Sequence, residues 1–277
     1  MEVDGRPVAK PSGGPELENE NEALWRGLLD GTNPVYARTR AYMGRIPGSP
    51  RCRMCAAPFG PPGSWLIRLQ GRRRWEKNPE YCNLCFDVLS RFHGGAEIEA
   101  SFLFADVRGS TSLAEGMRPA EFRRILDRFY EVAARLIIQN DGIVDKFVGD
   151  EAVGIFIPAT AHAHHPAKAV DAARALVAAT RGGATGGIDL PVGIGVGTGV
   201  AFVGSVGEPP VTSLTALGDT VNVTARLASA AAAGEILINE RAADLAGLVA
   251  AGSPSRSLEL KGKSRPTLVY VIEASAG

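Results

Sequence analysis

The chain has little that would tie it to a polyanion, a membrane or an oxidising compartment. Its 30 basic residues are balanced by 30 acidic ones, for a formal net charge of zero, whereas a protein whose main partner is nucleic acid carries a basic excess. The one basic run, Arg72-Arg73-Arg74-Trp75, is too short to change this and reads as a solvated loop. No window reaches the ~18 continuous apolar residues of a membrane-spanning helix. The opening MEVDGRPVAK lacks both the basic n-region and the apolar h-region of a secretory signal. These absences predict a soluble, cytoplasmic protein with no nucleic-acid partner and no membrane span.

Cysteine is scarce as well, and all four residues fall in one segment as Cys52-x2-Cys55 and Cys82-x2-Cys85. In a reducing compartment, paired thiolates at this spacing match a tetrahedral four-cysteine zinc site. The intervening stretch is longer than the usual zinc-ribbon gap, and two disulfides or an iron–sulfur cluster are the alternative readings. A zinc site there would staple a small module that lacks a core of its own.

What is present divides the chain in three. Residues 1–20, rich in proline, glycine and acidic side chains, are expected to lack fixed structure. Residues 21–95 hold a short helix near Glu22–Leu29, the cysteine module and a linker helix over Phe86–Phe92 that stops at Gly94-Gly95. Residues 96–277 alternate strands and helices. Ile98–Val107 reads as a buried strand. Phe122, Ile125, Leu126, Phe129 and Val132 give Pro119–Gln139 the 3.6-residue period of an amphipathic helix. Gly142–Val148 and Ala152–Ile157 form a tight hairpin at Gly149-Asp150, and Ala161–Thr180 is an alanine-rich helix. Pro191–Val206 is strand, Asp219–Ala230 helix, Glu235–Ile238 strand, with a short helix from Asn239 and closing strands near Leu258–Leu260 and Leu268–Ile272. This order predicts an antiparallel or mixed sheet with helices packed on it.

Three segments carry chemistry. In FLFADVRGST, Asp106 ends a strand, and Val107, Gly109, Ser110 and Thr111 turn into a helix whose backbone N–H groups suit an anion. Asp106 as a simple helix cap is the bland account. In VDKFVGDEAVGIF, Asp150 sits in the hairpin turn, and Lys146 lies in a strand of mostly apolar residues, where a lysine needs a polar partner. Two carboxylates at the ends of adjacent strands suit Mg2+ or a similar hard cation. In LTALGDTVNVTARLA, a helix starts at Asp219 and sets Asn222 and Arg226 four residues apart on one face.

These segments, followed by LELKGKSRPTLVYVIEA, together resemble the catalytic domain of class III adenylate and guanylate cyclases over about residues 97–274; the cysteine module is outside the resemblance. It implies an α+β, ferredoxin-like domain with a mixed, mainly antiparallel sheet. It also implies that Asp106 and Asp150 bind two Mg2+ or Mn2+ ions, with the Val107 carbonyl as auxiliary ligand. Lys146 and Thr215 would face the purine, and Asn222 and Arg226 would stabilise the transition state. Because members of this family form a site between two domains and this chain carries the whole set, a homodimer with two equivalent sites is implied. Lysine can only donate, which suits N1 of adenine, and the Thr215 hydroxyl can accept from N6. Guanine presents a donor at N1, so ATP is the expected substrate. Threonine both donates and accepts, so it rejects GTP less sharply than a carboxylate. The alternatives are a guanylate cyclase and a catalytically silent regulatory domain.

Other signals carry less. VGIGVGTGVAFVG does not fit the GxGxxG dinucleotide pattern and reads as a glycine-rich strand. His162, His164 and His165 are read as solvated residues at a helix start, and Trp65 and Trp75 as packing for the small module.

Overall fold

The computed structural model describes residues 15–76, 79, 81–85, 87, 94–181, 190–208 and 211–273. The helix expected over Phe86–Phe92 (Asp87 apart) and the GGATGG linker lie outside the described residues. Among those described, no helix is long and apolar enough to cross a membrane.

Among the described residues eight strands build one sheet: β1 (Gly94–Val107), β2 (Ile143–Val148), β3 (Glu151–Phe156), β4 (Val192–Glu208), β5 (Val211–Leu217), β6 (Glu235–Asn239), β7 (Ser255–Leu258) and β8 (Thr267–Glu273). Their order is β2-β3-β1-β4-β6-β8-β7, with β5 also paired to β4. Only β4 and β6 run parallel; the other pairings are antiparallel. The fold is therefore α+β with a mixed, mainly antiparallel sheet. Strand β5, which carries Thr215, is absent from the sequence reading, which assigns no element to VTSLTAL between the strand ending at Val206 and the helix starting at Asp219.

Strand β1 shows why both faces are covered. With a side-chain period of two, Ile98, Ala100, Phe102 and Phe104 point to one face while Leu103, Ala105 and Val107 point to the other. The second face is sealed by α5 (Pro119–Gln139) and α7 (His165–Arg181), through Phe129, Val132 and Ile137 from the one and Val170, Leu176 and Val177 from the other. The helix reading of Pro119–Gln139 coincides with α5.

The first face receives two different partners. One is the N-terminal segment: α1 (Pro15–Asp30), α2 (Pro34–Gly44), α3 (Gly63–Leu69) and the cysteine cluster. Trp25, Leu29, Met43, Tyr81 and the four cysteines share one core with Ala96, Ile98, Ala100, Phe102 and Phe104 of β1 and with Val153 and Ile155 of β3. Helix α1 begins at Pro15, inside the stretch expected to lack structure; proline suits a first helical turn. Helices α2 and α3 lack a clear apolar period and are not legible in the sequence. Trp65, read as packing the module, is instead 67% exposed on α3, and Trp25 is the fully buried tryptophan.

The other partner is α8 (Asp219–Ala230), which lies along the glycines of β4. A Cβ at Gly195 would stand 2.3 Å from the Thr224 carbonyl oxygen, and one at Gly197 would stand 2.1 Å from the Thr224 hydroxyl. Alternate glycines thus let helix and strand approach closely, which accounts for the VGIGVGTG repeat without a nucleotide loop.

His165 corrects the reading of AHAHH. His162 and His164 are exposed, but His165 is buried, with Nδ1 2.8 Å from the Ser101 hydroxyl, itself 2.6 Å from that of Thr198. Burial lowers its pKa.

Candidate active site

Strand β1 ends at an acidic corner. Asp106 pairs across the sheet with Glu151 on β3 and with Gly193 on β4. Asp150 lies in the two-residue connection between β2 and β3, where Gly149 takes φ +61°. The Val107 N–H donates to the Asp150 carbonyl at 3.2 Å, which fixes this turn beside the end of β1. Tyr130 supports it from α5: its hydroxyl donates to the Gly149 carbonyl, and its ring stacks on Phe147 at 4.5 Å.

Three carboxylates crowd this corner. Burial and then the charges of Asp106 and Asp150 push the Glu151 carboxyl up to about 7. Burial also raises Asp106; Arg108 lowers it and Asp150 raises it again. Arg108 brings a cation to this corner, with Nη2 3.2 Å from Asp106. That guanidinium also donates to the carbonyls of Ala228 at 2.6 Å and Ser229 at 3.1 Å, at the C-terminal end of α8. Arg108 thereby joins the acidic corner to the helix that carries Asn222 and Arg226. No local pattern announces this, because the contact spans more than a hundred residues. An excess of negative oxygen ligands that nearby cations only partly offset fits a hard divalent ion.

The anion-cradle turn is partly as expected. Gly109 adopts φ +72° and leads into α4 (Ser110–Glu115), a helix of six residues. The Ser110 hydroxyl, however, donates to the Asp150 carboxylate rather than standing free. Thr111 is exposed.

Lys146 has partners within the chain. Its Nζ donates to Thr215 Oγ1 at 3.0 Å and lies 3.4 Å from Asp145 Oδ2. Thr215 in turn donates its hydroxyl proton to Asp145 Oδ2 at 2.9 Å. Asp145 was overlooked in the sequence, although an acid beside a lysine in an otherwise apolar strand was the available sign. The charge of Lys146 reaches Glu151, so this polar cluster borders the acidic corner.

Helix α8 turns Thr220, Thr224 and Ala228 onto the β4 glycines. Asn222 and Arg226 therefore face outward: the first is exposed and the second partly so. Neither side chain has a hydrogen-bond partner among the described residues. Gly262, in the loop before β8, lies under the Arg226 guanidinium, where a Cβ would stand 3.4 Å from Nη2.

The four cysteines meet away from this corner. All four sulfurs lie within 4.8 Å of one another, with Cys52–Cys85 at 3.9 Å and Cys55–Cys82 at 3.7 Å. Arg72 is not solvated as read: its Nη1 contacts the sulfurs of Cys55 at 3.5 Å and Cys82 at 3.7 Å.

With this geometry in view, the likenesses to known proteins are specific. The family of adenylate and guanylate cyclase catalytic domains matches residues 96–274, well over half of the chain. A protein of Anabaena cylindrica named adenylate cyclase is 34% identical over 131 residues, 46% of this chain and 26% of its own length. An uncharacterized protein of Mycobacterium tuberculosis is 31% identical over 180 residues, 62% of this chain and 32% of its own. The curated relatives are thus matched over about a third or less of their length. Among solved structures, the guanylyl cyclase Cya2 superposes with a TM-score of 0.59 at 28% identity, covering 64% of this chain and 93% of that one. The adenylyl cyclase CyaB from P. aeruginosa gives 0.57 at 26% identity, covering 66% and 97%.

The α+β sheet is that of a nucleotidyl cyclase, a class that works on nucleotides with divalent metal ions. The chain belongs to the adenylate and guanylate cyclase catalytic domain family. The cysteine segment lies outside the matched residues.

Proposed function

We propose that the protein is an adenylate cyclase, converting ATP to 3′,5′-cyclic AMP and pyrophosphate at sites shared between two copies of the chain. The observation that carries this reading is Lys146 joined to Thr215 at 3.0 Å beside the acidic corner. Lys146 supplies a donor for adenine N1, and the Thr215 oxygen accepts from N6.

In cyclisation the ribose 3′-hydroxyl releases its proton to solvent as its oxygen bonds to the α-phosphorus, and the bond from that phosphorus to pyrophosphate breaks with the electron pair leaving on pyrophosphate. Asp106, Asp150 and the Val107 carbonyl are the groups that would hold two Mg2+ or Mn2+ ions. Bound there, such ions would acidify the attacking hydroxyl and neutralise the polyphosphate. Arg108 anchors Asp106 from the side. Backbone N–H groups near Gly109, Ser110 and Thr111 border the same corner. Arg226 meets the charge that builds on the phosphate oxygens, and Asn222 orients the ribose.

Where these groups point supports a dimer. Asn222 and Arg226 face away from the sheet, and among the described residues their side chains touch no acceptor of their own. Exposed Val200 and Leu217 lie on the neighbouring strands, an apolar margin suited to a second copy.

Incubating the purified protein with ATP and with GTP in parallel, with Mn2+, tests the reading. Cyclic AMP should dominate, and Lys146→Glu should lower kcat/KM for ATP by about 100-fold, the scale of a buried polar mismatch. Equal turnover of both nucleotides would favour a guanylate cyclase of low selectivity, and no product from either would favour a silent domain.

The cysteine cluster is proposed as a structural zinc site. Thiolates at about 2.3 Å from zinc form a tetrahedron with edges of about 3.8 Å, and the sulfur separations of 3.7 and 3.9 Å match it. A disulfide needs bonded sulfurs, and a multi-iron cluster needs its thiolates farther apart. The Arg72 guanidinium offsets the net negative charge of four thiolates. Elemental analysis should return one zinc per chain, and Cys52→Ser with Cys85→Ser should abolish it and lower the melting temperature. A metal-free, fully stable wild type would contradict this.

A further inference from the structure

We infer that Asp145 sets the base preference of this site by fixing which way the Thr215 hydroxyl faces. The inference rests on the adenylate cyclase reading and assigns a residue to its selectivity.

The local backbone puts Asp145 in place. The β2–β3 register slips between Val144 and Lys146, leaving Asp145 as the extra residue of a bulge. A bulge re-aims side chains, and here it lets Asp145 and its neighbour Lys146 both reach Thr215 on β5. The Asp145 side chain is only 4% exposed, and its Oδ1 is buried with no hydrogen-bond partner. A buried carboxylate held so sparely needs a reason.

Oδ2 supplies it. Asp145 Oδ2 receives the Thr215 hydroxyl at 2.9 Å, and an ionised carboxylate can only accept. The single proton of Thr215 is thereby committed inward. Lys146 has no acceptor and donates to the same oxygen at 3.0 Å. What Thr215 can still offer a base is a lone pair. Adenine meets that lone pair with an N6 amino donor, whereas guanine places the O6 acceptor there. Free threonine would serve either base by rotating its hydroxyl; threonine bonded to Asp145 serves adenine. Asp145 is thus a positioning residue, acting on the base through Thr215 and holding Lys146 at 3.4 Å.

The test is the ratio of kcat/KM for ATP to that for GTP, measured on the full chain. Asp145→Ala releases the Thr215 proton and should reduce the ratio by about tenfold or more, the scale on which one mispaired buried hydrogen bond acts. In a Thr215→Val background the same substitution should leave the ratio unchanged, because the hydroxyl it acts through is gone. Asp145→Leu, closer to aspartate in shape, repeats the comparison if the alanine variant unfolds. A parallel fall for both nucleotides, with the ratio preserved, would overturn the role of Asp145 and leave the cyclase reading standing. A wild type that makes no cyclic AMP would overturn both.

Discussion

Asp106→Asn and Asp150→Asn are each expected to lower cyclase turnover by about 1,000-fold or more while leaving the fold at least as stable. The activity loss follows from the role proposed for these carboxylates. Metal ions held beside a reacting phosphate contribute several kcal/mol to the transition state, and a factor of 1,000 corresponds to about 4 kcal/mol. Stability should hold because the corner is over-charged. Burial first, and then the charges of Asp106 and Asp150, raise Glu151 to about 7. Removing one charge lessens that repulsion, and asparagine keeps the size of the side chain. Cyclic AMP formation and thermal unfolding, measured on the same preparations, check both halves. Near-normal turnover in the two variants would remove the corner from the chemistry.

Arg226→Ala should lower kcat by about 100- to 1,000-fold with little change in KM, the pattern of a group that acts on charge developing in the transition state. Asn222→Ala should act in the same direction. Both side chains face off α8 without hydrogen-bond partners among the described residues, so unfolding free energy should shift by no more than about 0.5 kcal/mol. Steady-state kinetics over a range of ATP concentrations separates kcat from KM. A rise in KM alone would mean that Arg226 binds the ground state equally well.

How far the sequence could carry this depended on the range of each interaction. Helices α5 and α8 declare themselves through local period and start signals, and their bounds agree with the structure. The acidic corner was legible because Asp106 and Asp150 each end an apolar run. Asp145 was within reach of the same logic, but its meaning depends on Thr215, seventy residues away on a strand to which the sequence reading assigns no element. Arg108 lay beyond local reasoning, since its role is set by carbonyls at the far end of α8. His165 was misread for a similar reason: Ser101 and Thr198, its buried partners, come from two other strands. The pairing of the four cysteines could be suspected from spacing, yet only the fold brings Cys52 against Cys85 and Cys55 against Cys82.

A site completed by two copies of the chain is tested directly by mixing two inactive variants. Asp106→Asn keeps Arg226, and Arg226→Ala keeps Asp106, so a mixed dimer contains one site with every group intact. Random exchange makes half of the dimers mixed, and activity should recover to about a quarter of the wild-type value. A mixture no more active than the sum of its two components, with subunit exchange verified, would contradict the account.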